Sequence, residues 1–344
     1  MTHLERMRTH LHLREHDLLH TETVDHCGAT PGVDDSWDIQ KFVKRFNVGI
    51  ISMDDMTMEF DMVGLNPAIA NAIRRILLAE VPTMAPDKVY LYNNTSIIQD
   101  EVLAHRIGLV PFNIDPRMFE YRESESDGSP EDTVEFELKV KCTKNPHAPK
   151  DATIPDELYR DHVVYTKHLT WIPLGSQAEI FGNKPPRPVH DDIILAKLRP
   201  GQEIDLKLHC MKGTGQVHAK FSPVATASYR LLPEIRLLRP VLDEQAERLQ
   251  GCFSEGVIEL EDSPDGHKVA RVANARADTC SRNVFRFDDL KDAVELTRVK
   301  DHFIFSVEST GAYAPDLLVT EAIKVLMSKC QMFLDELEHV QVHG

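Results

Sequence analysis

Residues 56–80 read MTMEFDMVGLNPAIANAIRRILLAE and predict a strand that leads directly into a helix. Apolar and polar residues alternate through the first part with a period of two, which is typical of a strand with one buried face. Asn66 can cap the helix with its side-chain oxygen, and Pro67 suits the first helical position, where no N–H donor is needed. Arg74 and Arg75 flank an apolar stripe on this helix, so the helix needs cover from other elements. The stripe consists of Ile69, Ile73, Ile76 and Leu77.

The end of the chain carries the most regular pattern, a predicted helix whose apolar residues recur at alternating spacings of four and three. This spacing is typical of an a/d seam. A single such helix ordinarily lies on the sheet of its own domain. Leu318, Met327 and Leu334 widen the apolar stripe, so any remainder that the sheet leaves uncovered would mark a partner surface. The seam consists of Val319, Ile323, Leu326, Cys330, Phe333, Leu337 and Val340.

The pattern between these helices predicts how the chain is divided. Three further segments alternate like strands, and Pro- and Gly-rich stretches interrupt the middle of the chain. We therefore predict an α+β fold in which one domain, formed by 46–84 and 224–344, is split by an inserted β-rich domain at 85–223. The three strand-like segments are 134–142, 204–210 and 303–307.

Residues 1–45 are rich in His, Asp and Thr, and we predict that they form a weakly ordered N-terminal extension. Within it, a helical stripe at 3–20 would place His12, His16 and His20 on one face, a geometry that is compatible with a metal ion. No Cys or nearby carboxylate completes a tetrahedral set, so we expect no metal site. A metal-dependent hydrolase is the alternative that this spacing alone supports.

Composition and motifs narrow the function further. The chain has 39 Lys and Arg against 55 Asp and Glu, a formal net charge of -16, which disfavours binding to nucleic acid or to anionic lipid. Its six cysteines are scattered and predict neither disulfides nor a Cys-rich zinc site. Signal-peptide, membrane-spanning, P-loop and nucleophile-elbow patterns are absent from the sequence. We expect a protein-binding protein without catalytic residues or a cofactor.

The sequence at 66–111, NPAIANAIRRILLAEVPTMAPDKVYLYNNTSIIQDEVLAHRIGLVP, closely resembles the α-like assembly subunits of cellular RNA polymerases, the family of bacterial α and archaeal D. Three more stretches resemble the branch that the nuclear RNA polymerases I and III share. Together they extend the resemblance over nearly all of the chain after residue 36. The stretches are IILAKLRPGQEI at 193–204, HAKFSPVATASYRLLP at 218–233 and HFIFSVESTGA at 302–312.

The resemblance implies a split dimerisation domain, an antiparallel sheet with packed helices, interrupted by an inserted β-rich domain. It implies a heterodimer with a smaller α-like subunit, in which the helix at 66–80 and the terminal helix pack against their counterparts. The heterodimer would be the platform for the second-largest and then the largest subunit, in the nucleus including the nucleolus. A homodimeric scaffold unrelated to transcription remains an open alternative, because it would share the seam.

The resemblance also implies roles for individual residues. Arg74 and Arg75 would face the second-largest subunit, and guanidinium groups suit bidentate contacts with carboxylates. His218, Lys220 and Phe221 lie in a family signature near the other large-subunit contact. The cysteine cluster of the RNA polymerase II counterpart is missing from this sequence, and so is the DFDGD-type Asp cluster of the largest subunit. We therefore expect neither a bound metal nor catalysis by this chain.

Overall fold

The computed structural model describes residues 3–21, 36–123, 127–149 and 152–343. Its strands are β1 (His10–Leu13), β2 (Leu18–Leu19), β3 (Asn47–Met53), β4 (Thr57–Val63), β5 (Thr83–Asn94), β6 (Phe112–Asn113), β7 (Thr133–Lys141), β8 (Thr143–Lys144), β9 (Tyr159–Arg160), β10 (Val163–Tyr165), β11 (Leu169–Ile172), β12 (Arg187–Pro188), β13 (Ile194–Lys197), β14 (Glu203–Gly213), β15 (Val224–Leu237), β16 (Ile258–Asp262), β17 (Lys268–Val272) and β18 (Val294–Ser309). Its helices are α1 (His3–Thr9), α2 (Ile39–Arg45), α3 (Pro67–Ala79), α4 (Asp100–Gly108), α5 (Pro155–Leu158), α6 (Gln177–Phe181), α7 (Asp243–Gly251) and α8 (Pro315–His343).

Two larger sheets organise the chain, and the predicted α+β class is confirmed. One sheet has the strand order β2-β1-β18-β4-β3, with β15 also paired to β18. The other has the order β11-β7-β14-β5, and its strands pair in antiparallel fashion. The described helices include none that is both long enough and apolar enough to cross a membrane.

The chain divides into two compact units, each with its own core. The first core includes Leu249 and Leu290, and the second includes Phe112, Phe136 and Leu208. The terminal helix and the second half of α3 are grouped here with the middle of the chain, and the predicted division at 46–84, 85–223 and 224–344 stays a prediction. The first unit is Met1–Ser52, Glu59–Asn71 and Ser228–Phe305; the second is Met53–Met58, Ala72–Ala227 and Ser306–Gly344.

The predicted strand and helix at 56–80 are confirmed. Phe60 in β4 is buried and stacks on Phe305 with ring centroids 5.1 Å apart, as expected for the core face of a strand. The Asn66 side-chain oxygen accepts the N–H of Ala68 at 2.7 Å, and Pro67 is the first residue of α3. The local cap therefore fixes where this helix begins.

The prediction of a helical stripe over 3–20 is wrong beyond Thr9. His10–Leu13 forms β1, which pairs in antiparallel register with β18, and the Leu13 side chain is only 3% exposed. Backbone pairing and the burial of Leu13 outweigh the weak helix preference of so short a segment. These residues therefore belong to a sheet rather than to a loosely attached extension. The stretch 22–35 of the predicted extension lies outside the described residues.

Candidate partner-binding surface

The outer face of α8 carries an exposed row of apolar side chains. Helix α8 has 29 residues, and its first turns are anchored by Leu318 and Ala322, which are fully buried. Along the predicted seam, Val319 and Leu326 are half-buried and Cys330 is exposed. Five large apolar side chains of this face are between 39% and 65% exposed. They are Ile323, Met327, Phe333, Leu334 and Leu337, which we call the α8 ridge.

An ion pair connects the middle of α8 to the residue that follows α3. Lys329 Nζ lies 2.8 Å from both carboxylate oxygens of Glu80, just after α3. Every residue of α8 from 327 to 339 is exposed, and the predicted seam residue Val340 has a side chain that lies outside the described part of the chain. Because exposed apolar rows of this kind ordinarily mark protein contacts, the ridge is a candidate partner surface.

The predicted interface residues of α3 separate into two groups. Ile69 is 40% exposed, whereas Ile73, Ile76 and Leu77 are at most 4% exposed. The buried three leave almost no surface for a partner to cover. They can support an interface from beneath through the packing of α3, while Ile69 is available for direct contact.

The two arginines of α3 are also placed differently. Arg74 is half-buried and Arg75 is exposed. The ion pairs found within the described part of the chain do not involve Arg75. Its guanidinium is therefore available to a carboxylate of another chain.

The loop at 218–221 is held by internal contacts. Phe221 is buried against Gly213, where an added Cβ would lie only 2.7 Å from the ring. Lys220 Nζ donates to the Pro86 carbonyl oxygen at 2.8 Å and to Asp87 Oδ1 at 2.7 Å. Lys220 and Phe221 thus have structural partners already.

His218 is exposed, as is the neighbouring Ala219. Its Nδ1 accepts the backbone N–H of Lys220 at 3.1 Å, which leaves the other ring nitrogen as the donor toward solvent. The ring lies edge-on to His105, with centroids 6.5 Å apart, across a cavity of about 270 Å³. His105 belongs to the last turn of α4 and is a residue that sequence reasoning missed, because only the fold brings it beside the loop.

The outer face of the sheet formed by β5, β7, β11 and β14 carries acidic and basic side chains that form ion pairs with one another. His209 Nε2 lies 3.3 Å from Glu135, and burial lowers the pKa of His209 below its usual value. A face of paired charges offers little net attraction to phosphates, which agrees with the acidic composition. The cross-strand ion pairs are Lys139–Asp205 at 2.9 Å, Lys141–Glu203 at 2.8 Å and Lys207–Glu135 at 2.8 Å.

A half-buried ion cluster fastens another segment of the first unit. Arg276 donates from Nε and Nη2 to Glu59 Oε1 at 3.0 and 2.6 Å, and from Nη1 to Asp61 Oδ2 at 2.8 Å. His302 Nε2 lies 2.9 Å from the same Asp61 oxygen. Because both carboxylates are on β4, the cluster attaches the 3-10 helix Ala275–Ala277 to that strand.

The three histidines of the predicted metal ladder do not share a helix face. His12 lies in β1, His16 lies in the following turn, and His20 has a left-handed φ of 62°. In the described stretches, the His, Cys, Asp and Glu side chains form no group of three or more that could hold a metal ion. The helix on which the hydrolase alternative depended is thus absent from these residues.

Comparison with known proteins gives the family. A family model described as the RNA polymerase Rpb3/Rpb11 dimerisation domain matches residues 59–330. The chain is 61% identical over 340 residues to the DNA-directed RNA polymerases I and III subunit RPAC1 of Bos taurus, covering 98% of each chain. It is 47% identical over 315 residues to the RPAC1 of Saccharomyces cerevisiae, covering 90% of this chain and 93% of the relative.

A relative from another polymerase is more distant. The DNA-directed RNA polymerase II subunit rpb3 of Dictyostelium discoideum is 32% identical over 303 residues, which cover 86% of this chain and 95% of the relative. The matched family model and the long, close matches agree with the resemblance at 66–111. This chain therefore belongs to the Rpb3/Rpb11 dimerisation-domain family of RNA polymerase subunits, in the branch whose members are named as subunits of polymerases I and III.

Proposed function

We propose that this chain is a non-catalytic structural and assembly subunit shared by DNA-directed RNA polymerases I and III. These enzymes make the rRNA precursor, 5S rRNA and tRNA. The single observation that carries the proposal is the α8 ridge, an apolar row that α8 leaves exposed in a chain of this family. An exposed row of that size in an isolated chain calls for a partner.

The partner that we propose is a smaller α-like subunit, which pairs with this chain as a heterodimer. The α8 ridge and Ile69 would each supply direct contacts, and Ile73, Ile76 and Leu77 would hold α3 in place. Obligate interfaces of this kind commonly bury about 2,000 Å² or more and are strongly apolar. The isolated chain should therefore self-associate or aggregate until the smaller subunit is supplied.

The heterodimer would then receive the second-largest and afterwards the largest subunit. Arg75 is available to the second-largest subunit because its guanidinium is exposed. His218 is exposed as well and is available to the other large-subunit contact. Lys220 and Phe221 would act by holding the loop that presents His218. Little direct contact with nucleic acid is expected from a chain of this charge.

Two further parts of the proposal follow from the family. The chain would work in the nucleus, including the nucleolus. Its dimerisation domain would be 46–84 with 224–344, interrupted by the β-rich insertion at 85–223.

Affinity capture from the chain's own cells, followed by mass spectrometry, tests the proposal. We expect a tagged chain to recover two distinct sets of large polymerase subunits and one small α-like protein. One set alone would restrict the chain to a single polymerase. Recovery of a second copy of this chain without polymerase subunits would support the homodimeric scaffold instead.

A further inference from the structure

The distal part of α8 is acidic in a place where its own helix gives no reason for it. Residues 330–343 contain Asp335, Glu336 and Glu338 but no Lys or Arg. None of the three has a Lys or Arg three or four residues away, so α8 offers them no ion pair of the kind that stabilises an isolated helix.

Two of the three carboxylates border the α8 ridge. Glu338 follows Leu334 by four residues, and Glu336 follows Phe333 by three, spacings that make neighbours on a helix surface. On a helix with 3.6 residues per turn, these two positions fall on opposite sides of the ridge. Asp335 points elsewhere and accepts a hydrogen bond from the Gln331 amide at 2.8 Å.

Within the described part of α8, both lysines are already engaged elsewhere. Lys329 is the nearest Lys or Arg on α8, and both oxygens of Glu80 already hold its ammonium group at 2.8 Å. Lys324 lies further back and pairs with Glu321 at 2.9 Å. The apolar ridge is thus flanked by two exposed carboxylates without a described partner.

We propose that Glu336 and Glu338 select the occupant of the α8 ridge. They favour a partner helix that carries Lys or Arg beside its apolar stripe, and they disfavour a second copy of this chain. A second copy would bring the same carboxylates and a further formal charge of -16. The inference rests on the proposed heterodimer and adds the chemistry by which the smaller subunit is recognised.

The effect should be modest and sensitive to salt. Exposed ion pairs are individually weak, so reversing both charges should weaken binding by about tenfold, through loss of attraction and gain of repulsion. Screening shortens the range of these charges from about 10 Å at 0.1 M salt to about 3 Å at 1 M. The difference between variant and wild type should therefore shrink as salt is added.

The test compares full-length tagged chains in capture of the native smaller subunit from the chain's own cells. The double variant Glu336→Lys with Glu338→Lys reverses the ridge charges. A matched control, Glu255→Lys with Asp265→Lys, makes the same change in net charge at exposed positions elsewhere. Glu336→Gln with Glu338→Gln removes the charges without reversal and should give an intermediate loss, while circular dichroism checks that α8 stays helical.

At about 0.1 M salt we expect the reversed variant to retain about tenfold less of the smaller subunit than wild type and control, with the gap closing near about 1 M. Sedimentation of the chain alone should show stronger self-association once the ridge carboxylates are neutralised. Equal retention by all variants at low salt would overturn the inference, and so would a gap that survives high salt. If the wild-type chain itself retains no small subunit, the proposed heterodimer fails as well.

Discussion

Replacing Phe333 by alanine should weaken the heterodimer strongly while leaving the isolated chain as stable as before. The Phe333 side chain is 65% exposed, so most of its area is free to be covered by a partner. Alanine would forgo burial of about 100 Å² of apolar surface, which at about 25 cal/mol per Å² corresponds to about 2.5 kcal/mol. The dissociation constant should rise by about 60-fold. In the isolated chain an exposed side chain makes few contacts, so the unfolding midpoint in urea should stay unchanged.

Met332 offers a matched control, because it is the preceding residue, is 61% exposed, and points away from the α8 ridge. Met332→Ala should change the dissociation constant by about twofold or less. The assay is a titration of each tagged variant with the smaller subunit, scored by the fraction captured. An equal loss of affinity for the smaller subunit in both variants would refute an interface that is confined to the ridge side of α8. A lower urea midpoint for Phe333→Ala alone would instead place that ring inside the chain's own packing.

Three further predictions concern stability, each measured by urea unfolding. Leu13→Ala should lower the free energy of unfolding by about 2–5 kcal/mol because Leu13 is 3% exposed. Leu18→Ala, at a 45% exposed position, should lower it by less than about 0.5 kcal/mol. Equal losses would mean that β1 does not pack on its sheet. Arg276→Ala should lower the free energy of unfolding by about 2 kcal/mol because Glu59 loses its ion-pair partner and buried Asp61 keeps only His302, while Arg271→Ala, which breaks an exposed pair, should lower it far less. Burial lowers the pKa of His209, so the unfolded chain binds a proton at this imidazole more readily than the folded chain does, and the free energy of unfolding falls as the pH drops below 6.5. His209→Gln should flatten this part of the plot of stability against pH. An unchanged plot would show that His209 is not the group responsible.

Elements with strong local signals could be predicted from the sequence. The strand at β4 follows from period-two alternation, and the start of α3 follows from Asn66 and Pro67, which act through contacts only a few residues away. The regular spacing at the chain end likewise predicts α8. In each case the deciding interactions are local, or the pattern repeats often enough to average out exceptions.

The N-terminal segment shows where such reasoning fails. His10–Leu13 is a strand because it pairs with residues 296–299, far away in the sequence. No local rule carries that information, and the short apolar pattern at 3–20 fits a helix equally well. Tertiary pairing then decides the outcome against local preference.

The candidate surface was predictable in part. The spacing of the seam identifies the face of α8, but only packing shows that Leu318 and Ala322 are buried while Phe333 is not. Periodicity cannot tell which side of α3 is covered within the chain, so Ile73 and Ile69 look alike in sequence. The partner of Lys220 is Asp87, more than a hundred residues earlier, and no spacing rule connects them.

The most direct test of the central claim is a site-specific cross-link in the assembled polymerase. A photoreactive amino acid is placed at position 333 in one sample and at position 332 in the other, and the cross-linked chains are identified by mass spectrometry. The account predicts that position 333 cross-links to the small α-like subunit with high yield and that position 332 does so weakly. A cross-link from 333 to a large subunit, to a second copy of this chain, or to no chain at all would contradict it.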